Sequence, residues 1–440
     1  MHVFPDLKRL ERKYAKELMV IGVHSAKFTN EKDSDAIRNA ILRHGLEHPV
    51  VNDAEFKIFR AYGAKGWPHF VLVDPEGGLV GQTGGEGRYD VLDGAIAKLV
   101  RAFDEKIDRK PRTFTLEKSK VKDGALSYPG KIVATAERLY IADTNHNRIV
   151  VADPAGKVLE VVGGSEEGFK DGDFKAARFF QPQGLALRGE SLFVADTENH
   201  SIRKIDFETK TVKTIAGTGK QRWSIDVSGP GTTVGLNSPW DLALEGTNLF
   251  IAMAGNHQIW KLDLKSGVVG PFSGSGHEDI EDGAHAKAKY AQPSGLSIMN
   301  GKLYVADSEV SGLREVDLDS AGGARTIVGM GLFEFGDKDG AGDEVRMQHV
   351  IGVHGAGGKL YVCDSYNHKI KVCEPAKRTV KALLGDGQRG SADGKQPRFN
   401  EPSGLWAVGD KLYVADQNNH AIRVCNLATS EVSTVPIEKK

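Results

Sequence analysis

The chain of 440 residues is poor in cysteine: it has three, and all of them lie after residue 360. Cys363, Cys373 and Cys425 are not spaced as Cys-x-x-Cys, so they do not indicate a disulfide framework. We interpret them as buried structural thiols, because a free cysteine usually behaves as a small hydrophobic side chain. Residues 1–110 contain no cysteine and cannot by themselves perform dithiol exchange, which needs a reactive thiolate and a resolving thiol.

The chain also lacks an excess of charge and a long apolar run. Its 58 basic residues nearly balance its 59 acidic ones, which argues against nucleic acid or a membrane surface held by bulk electrostatics. No apolar run approaches the roughly 20 residues that cross a bilayer, and no secretory signal pattern follows Met1. We therefore expect a monomer without a membrane span, in the cytoplasm, or in a plastid lumen or the periplasm if a targeting segment is missing.

What the chain does have is a repeat. Each copy contains two apolar runs, a polar turn after the second run, and two further alternating runs, which together predict four short strands. A lone four-stranded sheet cannot bury both of its faces, so six copies predict a six-bladed β-propeller over residues 126–437. The second runs end, at intervals of 52 to 57 residues, at Asp143, Asp196, Met253, Asp307, Asp364 and Asp416.

We interpret the repeated aspartates first as structural. An Asp at the end of a strand typically accepts backbone N–H bonds from the turn that follows it. A metal site would need three ligands converging on one point, whereas these residues recur one per blade, so we expect neither a metal nor another cofactor. The Asn-His pairs of the same turns should fix the strand geometry; they are Asn199-His200, Asn256-His257, Asn367-His368 and Asn419-His420.

The first hundred residues have a different pattern of apolar residues. Helical spacing of Leu7, Leu10 and Tyr14 precedes a continuous apolar run over residues 18–23, which suits a buried strand. Helix and strand patterns continue to alternate up to an amphipathic helix over residues 92–103. This predicts an α/β domain over residues 1–104, followed by a charged linker over residues 105–125.

Several motifs resemble a known family. ADTENHSI (195–202), CDSYNHKI (363–370) and ADQNNHAI (415–422) are similar to the NHL repeat. With MHVFPDL, IGVHSAKF, HPVVND and GWPHF ahead of them, the chain resembles the NHL repeat-containing protein 2 family over nearly its whole length. The resemblance implies a thioredoxin-like domain followed by a six-bladed NHL propeller. It also places Trp67 and Pro68 at the family's proline loop, whose peptide bond is usually cis.

The chain departs from this family at its first residues. In the family, a central β-strand and a Cys-x-x-Cys step come immediately before the Met-His that begins this sequence. Either the start was assigned too far downstream in a longer protein, or this domain is truncated and redox-inert. A missing central strand would leave two strand edges unpaired, and that cost favours the first explanation.

Two functions remain open at this point. The first is a non-catalytic interaction scaffold, in which the propeller binds a protein or peptide and the thioredoxin-like domain is redox-inert. The alternative is a thiol-disulfide oxidoreductase whose Cys-x-x-Cys lies upstream of the given start. A metal-dependent hydrolase or lyase in the propeller channel is disfavoured, because the histidines are scattered.

One set of candidate site residues lies where the repeat changes. The first strands of copies two, four and six carry Gly two residues after Pro, and Gly352 fills the same place in copy five, but copy one has Lys131 there and copy three has Asp241. First strands line the channel of a propeller, so both charges should lie near its mouth, with Trp240 beside Asp241 and His349 close by. A charged set at a channel mouth is a binding-site candidate, and it is equally a candidate for a structural ion pair.

A second set lies on the loops ahead of the blades. A basic residue follows an Asp-Gly step by five or seven positions, and an apolar residue comes directly after it. The simple interpretation is that the Asp pairs with this cation while the apolar neighbour fills the gap between blades. The functional interpretation is a face of loops that binds an acidic peptide, since binding residues concentrate on loops of rigid scaffolds. The basic residues are Arg178, Lys289, Arg346 and Arg398.

Overall fold

The computed structural model describes residues 2–110, 114–121, 124–164 and 166–439. The chain forms two compact units, Met1–Lys122 and Asp123–Lys440. No helix in the described ranges is both long enough and apolar enough to cross a membrane.

The first unit alternates helices and strands, as the sequence pattern predicted. Its α-helices are α1 (Phe4–Lys13), α2 (Ser34–Arg43), α3 (Lys57–Ala61) and α4 (Tyr89–Ala102). Short 3-10 turns occupy Asn30–Lys32 and Glu117–Lys120. Its strands are β1 (Gly22–His24), β2 (Val50–Asn52), β3 (His69–Val73) and β4 (Leu79–Gly84).

The core of this unit lies between α1 and α4. Leu10, Tyr14 and Ile96 are its buried apolar residues. The Tyr14 hydroxyl donates to Asp93 Oδ1 at 2.8 Å, and Lys13 Nζ donates to the same carboxylate at 2.6 Å. The helical spacing of Leu10 and Tyr14 therefore marks the face of α1 that packs on α4.

The strands of this unit form two separate pairs. β1 and β2 are parallel, with Gly22 opposite Val50, whereas β3 and β4 are antiparallel. Within the described residues, no strand hydrogen-bonds to both pairs. Val23, Val73 and Leu79 remain 42%, 43% and 62% exposed on these strands. The arrangement corresponds to the unpaired gap that the sequence predicted.

The second unit is a six-bladed β-propeller, which confirms the fold predicted from the repeat. Four consecutive antiparallel strands form each blade. The second strand of every blade ends at the predicted residue, from Asp143 in blade 1 to Asp416 in blade 6. The agreement arises because strand alternation and turn chemistry are both local signals in the sequence.

The bounds of the blades show how regular the repeat is. The strands are Ile132–Ala134, Leu139–Asp143, Arg148–Ala152 and Val158–Gly163 in blade 1; Pro182–Arg188, Ser191–Asp196, Ser201–Asp206 and Thr211–Ala216 in blade 2; Pro239–Glu245, Asn248–Met253, Gln258–Asp263 and Val268–Ser273 in blade 3; Pro293–Met299, Lys302–Asp307, Gly312–Asp317 and Gly323–Val328 in blade 4; Val350–Ala356, Lys359–Asp364, Lys369–Glu374 and Thr379–Leu384 in blade 5; and Pro402–Val408, Lys411–Asp416, Ala421–Asn426 and Glu431–Val435 in blade 6.

Short elements complete the blades. Two-residue strands from the preceding loops pair with the outer strands of blades 2 to 5, at Gly172–Asp173, Gly229–Pro230, Gly283–Ala284 and Gly340–Ala341. A 3-10 turn follows the second strand at Thr144–His146, Thr197–Asn199, Ala254–Asn256, Ser365–Asn367 and Gln417–Asn419. Further 3-10 turns occupy Gly231–Thr233, Gly342–Glu344 and Pro375–Lys377.

Apolar side chains from the loops fill the gaps between blades. Phe179, for example, packs with apolar residues of blades 1 and 2 and is fully buried. Tyr290, Met347 and Phe399 have the same role between later blades. This confirms the part of the sequence interpretation that concerned the apolar neighbours of the loop cations. The three cysteines are likewise buried, as predicted.

Blade 6 supplies all four of its own strands and closes onto blade 1 by packing. Leu139 and Ile141 of blade 1 share one apolar cluster with Tyr413 and Ala415 of blade 6. The chain after blade 6 adds backbone contact, because the N–H of Glu438 donates to the carbonyl of Gly156 at 3.0 Å. The ring is thus held shut by apolar packing and hydrogen bonds.

Candidate functional site

A buried polar cluster surrounds the repeat aspartate of blade 2. Asp196 Oδ1 accepts the backbone N–H of Phe180 at 2.8 Å, while Oδ2 accepts Asn199 Nδ2 at 2.8 Å and Arg203 Nη1 at 2.7 Å. Arg203 Nη2 donates to Asp171 Oδ1 at 2.7 Å. Burial raises the pKa of Asp196 to about 6, against the opposing effect of Arg203. We call Asp171, Asp196, Asn199 and Arg203 the polar box of blade 2.

Blades 5 and 6 repeat this polar box. Asp364 and Asp416 each accept an Asn side chain from the following turn, at 2.9 and 2.8 Å. Lys371 and Arg423 take the place of Arg203, and both are almost completely buried. A buried cation flanked by two carboxylates retains its charge because both neighbours compensate it. The boxes fasten each blade to the loop ahead of it.

The polar boxes correct two predictions from the sequence. The backbone donor to Asp196 is Phe180, which lies ahead of the first strand and not in the turn that follows the aspartate. Asp171 pairs with Arg203, and Arg178 instead lies 3.8 Å from Glu166. The predicted pairing of each Asp-Gly step with its loop cation was therefore wrong. The cation that pairs with Asp171 lies on the third strand of the blade. Folding brings the two side chains together.

Asp282, Asp339 and Asp393 show the same correction in other blades. Their carboxylates pair with Arg314, Lys371 and Arg423 at 3.1, 3.0 and 2.6 Å. The sequence held a signal for these cations, since each lies seven residues after the repeat aspartate. That spacing places the two side chains on neighbouring strands across a tight turn.

Blade 3 replaces the charged residues of the polar box and keeps its asparagine as Asn256. Where blade 2 has Asp171, Asp196, Arg203 and Thr214, the strand registers of blade 3 place Ser228, Met253, Trp260 and Pro271. Trp260 is fully buried, and its Nε1 donates to Gln258 Oε1 at 2.9 Å. Removing both members of a buried ion pair together avoids leaving one charge without compensation. Met253 is therefore part of a coordinated replacement.

Blades 1 and 4 modify the box in other ways. In blade 1, His146 and Arg148 bond to Asp143 Oδ2 at 2.8 and 2.7 Å. In blade 4, Val310 occupies the place of the Asn. Asp307 Oδ2 lies 3.6 Å from Arg314 Nη1, and burial raises the pKa of Asp307 to about 7.

The two charges predicted at the channel mouth meet across the channel. Lys131 Nζ lies 3.5 Å from Asp241 Oδ2, and both side chains are more than nine-tenths buried. Lys131 Nζ also donates to the carbonyl of Ile351 at 2.6 Å. Asp241 accepts the backbone N–H groups of Leu242 and Leu296, both at 2.9 Å. One ion pair thus links the inner strands of blades 1, 3, 4 and 5.

Glycine at the equivalent position of other blades permits the inner strands to approach. A Cβ atom added to Gly184 would lie 2.4 Å from Asp241 Cα, and one added to Gly404 would lie 2.8 Å from Lys131 Cα. The ion pair borders a small cavity that is also lined by Leu185, Leu296 and Trp406.

The other two candidates of this set lie elsewhere around the inner strands. Trp240 occupies an irregular position in the register between Pro239 and Asp241, and it is buried. The His349 ring stacks on Tyr366 with centroids 4.3 Å apart. Neither residue borders the cavity, so the structure brings together Lys131 and Asp241 alone among the four.

The loop cations lie on one face of the propeller. Because the four strands of a blade alternate in direction, every connection from a fourth to a first strand leaves on the same side. We call this side the loop face. Arg178, Lys289, Arg346 and Arg398 all belong to these connections, and their side chains are 30%, 30%, 26% and 46% exposed.

Carboxylates accompany these cations, and backbone carbonyls hold two of them. Lys289 lies 2.8 Å from Glu281, and Arg398 lies 2.9 Å from Asp386. Arg178 Nη1 donates to the carbonyls of residues 175 and 177, and Arg346 Nη1 donates to those of residues 343 and 345. Exposed ion pairs of this kind contribute little stability, so an incoming group can replace the carboxylate partner.

Large apolar side chains share the loop face with the cations. Phe169 and Met330 are 44% and 46% exposed, and Phe333 is 68% exposed. These three residues were not among the candidates selected from the sequence. The sequence feature that could have identified them is an apolar residue in the middle of a polar loop. Neither strand alternation nor the filling of a gap between blades requires an apolar side chain there.

The proline loop of the first unit has the geometry that the family resemblance implied. The peptide bond between Trp67 and Pro68 is cis. Trp67 Nε1 donates to the carbonyl of Ser25 at 2.9 Å, and its ring contacts Phe56 and Phe59. The indole remains 46% exposed.

The described residues contain no cluster of three His, Cys, Asp or Glu side chains positioned to hold a metal ion.

Comparison with known proteins agrees with this architecture. The family described as Thioredoxin-like matches residues 1–79. The chain is 40% identical to NHL repeat-containing protein 2 of Gallus gallus over 479 residues, which cover 99% of this chain and 66% of that protein. It belongs to the NHL repeat-containing protein 2 family.

Two further proteins are similar to this chain. Protein SUPPRESSOR OF QUENCHING 1, chloroplastic, of Arabidopsis thaliana is 43% identical over 461 residues, covering 99% of this chain and 44% of that protein. The thiol-disulfide oxidoreductase ResA of Bacillus anthracis is 30% identical over 95 residues, covering 22% of this chain and 53% of that protein. The chain thus spans 44% of the length of the Arabidopsis thaliana protein and 66% of that of the Gallus gallus protein.

Proposed function

We propose that the chain is a non-catalytic interaction scaffold whose propeller binds a protein or peptide through the loop face. The observation that carries the proposal is the exposure of Phe169, Met330 and Phe333 on rigidly held loops. Protein interfaces are centred on buried aromatic and Met side chains, with Arg enriched and a polar rim around them. The loop face offers exposed apolar side chains as anchors and the loop cations as a polar rim.

The polar boxes support this proposal by making the loops rigid. Asn199 Nδ2 donates to the carbonyl of Gly168 at 2.7 Å, directly ahead of Phe169. The guanidinium of Arg203 lies 5.3 Å from the centroid of the Phe169 ring. A side chain held in place before binding loses less conformational entropy in a complex.

The loop cations have a rim function in this proposal. Arg178, Lys289, Arg346 and Arg398 would attract an acidic segment of the partner and set its orientation. Partly exposed charges of this kind affect the association rate more than the final affinity. The ion pair of Lys131 and Asp241 lies beneath the face and fixes the inner strands.

Photo-cross-linking in cells tests the proposal even while the partner is unidentified. A photoreactive phenylalanine is placed at Phe169 or Phe333 and, as a matched control, at Val268. Val268 is 44% exposed like Phe169 but begins a fourth strand, so it lies on the opposite face. We expect a discrete adduct from the loop-face positions only. Equal adducts from Val268, or none from either loop position, would refute the proposal.

Thiol-disulfide exchange is a second candidate function. The Thioredoxin-like match and the similarity to ResA favour it. The sequence has no cysteine before Cys363, so the exchanging thiols would have to come from outside these residues. Disulfide reduction should therefore be assayed with this chain and with a longer product extended at its N-terminus by a Cys-x-x-Cys segment. Activity of the longer product alone would support this function.

A further inference from the structure

Hydrogen bonds between neighbouring blades form a closed belt around the propeller. The residue after each second-to-third turn has positive φ, and its side chain accepts a backbone N–H from the segment that leads into the next blade. The six links, all within the described residues, join Asn147 to Gln181, His200 to Ser238, His257 to Gln292, Ser311 to His349, His368 to Glu401 and His420 to Tyr128. The last link joins blade 6 to blade 1 and completes the circuit.

Four links depend on an unprotonated histidine nitrogen. The acceptor in each is Nδ1, at 3.1 Å from the amide of Ser238 and 3.1 Å from that of Tyr128. An imidazolium carries a proton on both nitrogens and cannot accept a hydrogen bond. Protonation would therefore place two donors face to face. Asn147 and Ser311 make the same link through oxygen atoms that do not titrate in this range.

The surroundings of the belt histidines oppose protonation. Burial alone lowers the pKa of His200 to about 4. Burial also lowers the pKa of His257 to about 4, with Glu309 acting against it and His277 with it.

At the closing link, burial lowers the pKa of His420, opposed by Asp143 and assisted by His146 of blade 1. Glu401, which donates its backbone N–H to His368, is itself a buried residue.

We propose that this belt makes the propeller an acid-sensitive ring, in which mild acid opens the histidine links and releases blade 6 from blade 1. The sign follows from linkage. A histidine whose pKa is depressed in the folded state contributes stability above its unfolded pKa, near 6.5, and loses it as the pH falls towards 4. The proposal concerns ring closure and does not depend on the loop face binding a partner.

The chain itself supplies the matched substitutions. Because Asn147 makes the link in blade 1, His→Asn at positions 200, 257, 368 and 420 keeps an acceptor and removes the titration. Asn147→His adds a titrating link. Urea unfolding at pH 7.5 and pH 5.0 then measures the pH dependence of each variant.

We expect the unfolding equilibrium constant of the unsubstituted chain to rise on acidification by about 30-fold more for each of His200 and His257, whose pKa is lowered to about 4, than that of the corresponding Asn variant. The link of His420, whose pKa is also lowered, should change in the same direction. Asn147→His should make the unfolding equilibrium constant depend more strongly on pH. Equal pH dependence in the natural chain and the fourfold Asn variant would overturn the proposal.

Amide hydrogen exchange of the unsubstituted chain gives a test that does not rely on variants folding. Protection factors at Tyr128, Ser238, Gln292 and Glu401 should fall between pH 7 and pH 5. Those at Gln181 and His349, which are linked to Asn147 and Ser311, should not fall in step. A uniform response of all six amides, or no response, would contradict acid opening of the histidine links.

Discussion

The buried aspartate of blade 2 depends on a cation from the adjacent strand. Asp196 and Arg203 are both fully buried and lie 2.7 Å apart. Separating such a pair is costly, because the remaining charge keeps its desolvation penalty without its partner. Blade 3 shows that this fold also accepts an apolar pair in the same place, in the form of Met253 and Trp260.

Substitution of Asp196 by Ala should therefore destabilise the chain by about 3–5 kcal/mol. The double variant Asp196→Met, Arg203→Trp copies blade 3 and should lose less than the sum of the two single variants, by about 2 kcal/mol. Urea unfolding of the single and double variants measures this coupling. Strict additivity would show that Asp196 and Arg203 do not act as a pair.

Blade 4 offers the opposite change. Val310→Asn restores the side chain that other blades use to bond the repeat aspartate, so it should stabilise the chain by about 1 kcal/mol. It should also lower the raised pKa of Asp307. The control is Asn199→Val, which creates the blade 4 arrangement in blade 2 and should be destabilising. If both variants changed the unfolding free energy in the same direction, the prediction that this Asn stabilises the repeat aspartate would be contradicted.

At the level of elements, the inner strands depend on one ion pair. Lys131 and Asp241 connect strands from four blades through side-chain and backbone contacts. We expect Lys131→Met to cost about 3–5 kcal/mol, because it leaves the buried Asp241 without its cation. Adding Asp241→Asn should recover part of this loss, as measured by urea unfolding. A double variant that is no better than Lys131→Met would show that the pair does not stabilise the strands.

The strands themselves could be predicted from the sequence, and their partners could not. Asp143 and Asp416 end their strands where the repeat indicated, because apolar alternation and the polar turn are encoded within a few residues. The pairing of Asp171 with Arg203 joins residues 32 positions apart and depends on strand register. Local charge spacing suggested Arg178 as the partner, and the fold places that side chain elsewhere.

The belt links were hidden from sequence reasoning for a related reason. His200 was correctly placed in a turn, but its acceptor role towards Ser238 depends on the next blade. The positive φ of both residues brings the imidazole to the amide, and no local motif encodes that approach. In contrast, Lys131 and Asp241 could be selected because each interrupts a run of glycines at one repeat position.

For the whole molecule, the proposed function places recognition on one face of the propeller. Neutralising the loop cations by Gln at positions 178, 289, 346 and 398 should slow association with the partner at low salt. The difference from the unsubstituted chain should shrink as ionic strength rises, since exposed charges are screened. Stopped-flow or surface-binding kinetics at two salt concentrations measure both effects. A salt-independent loss of binding would instead indicate damage to the loops.

The most direct measurement is the dissociation constant of the cross-linked partner for two matched variants. One carries Phe169→Ala and Phe333→Ala on the loop face, and the other carries Val268→Ala on the opposite face. We predict that the first variant binds at least about 10-fold more weakly, as expected when interface anchors are truncated, while the second binds like the unsubstituted chain. Equal dissociation constants for the two variants, with both folded, would contradict recognition through the loop face.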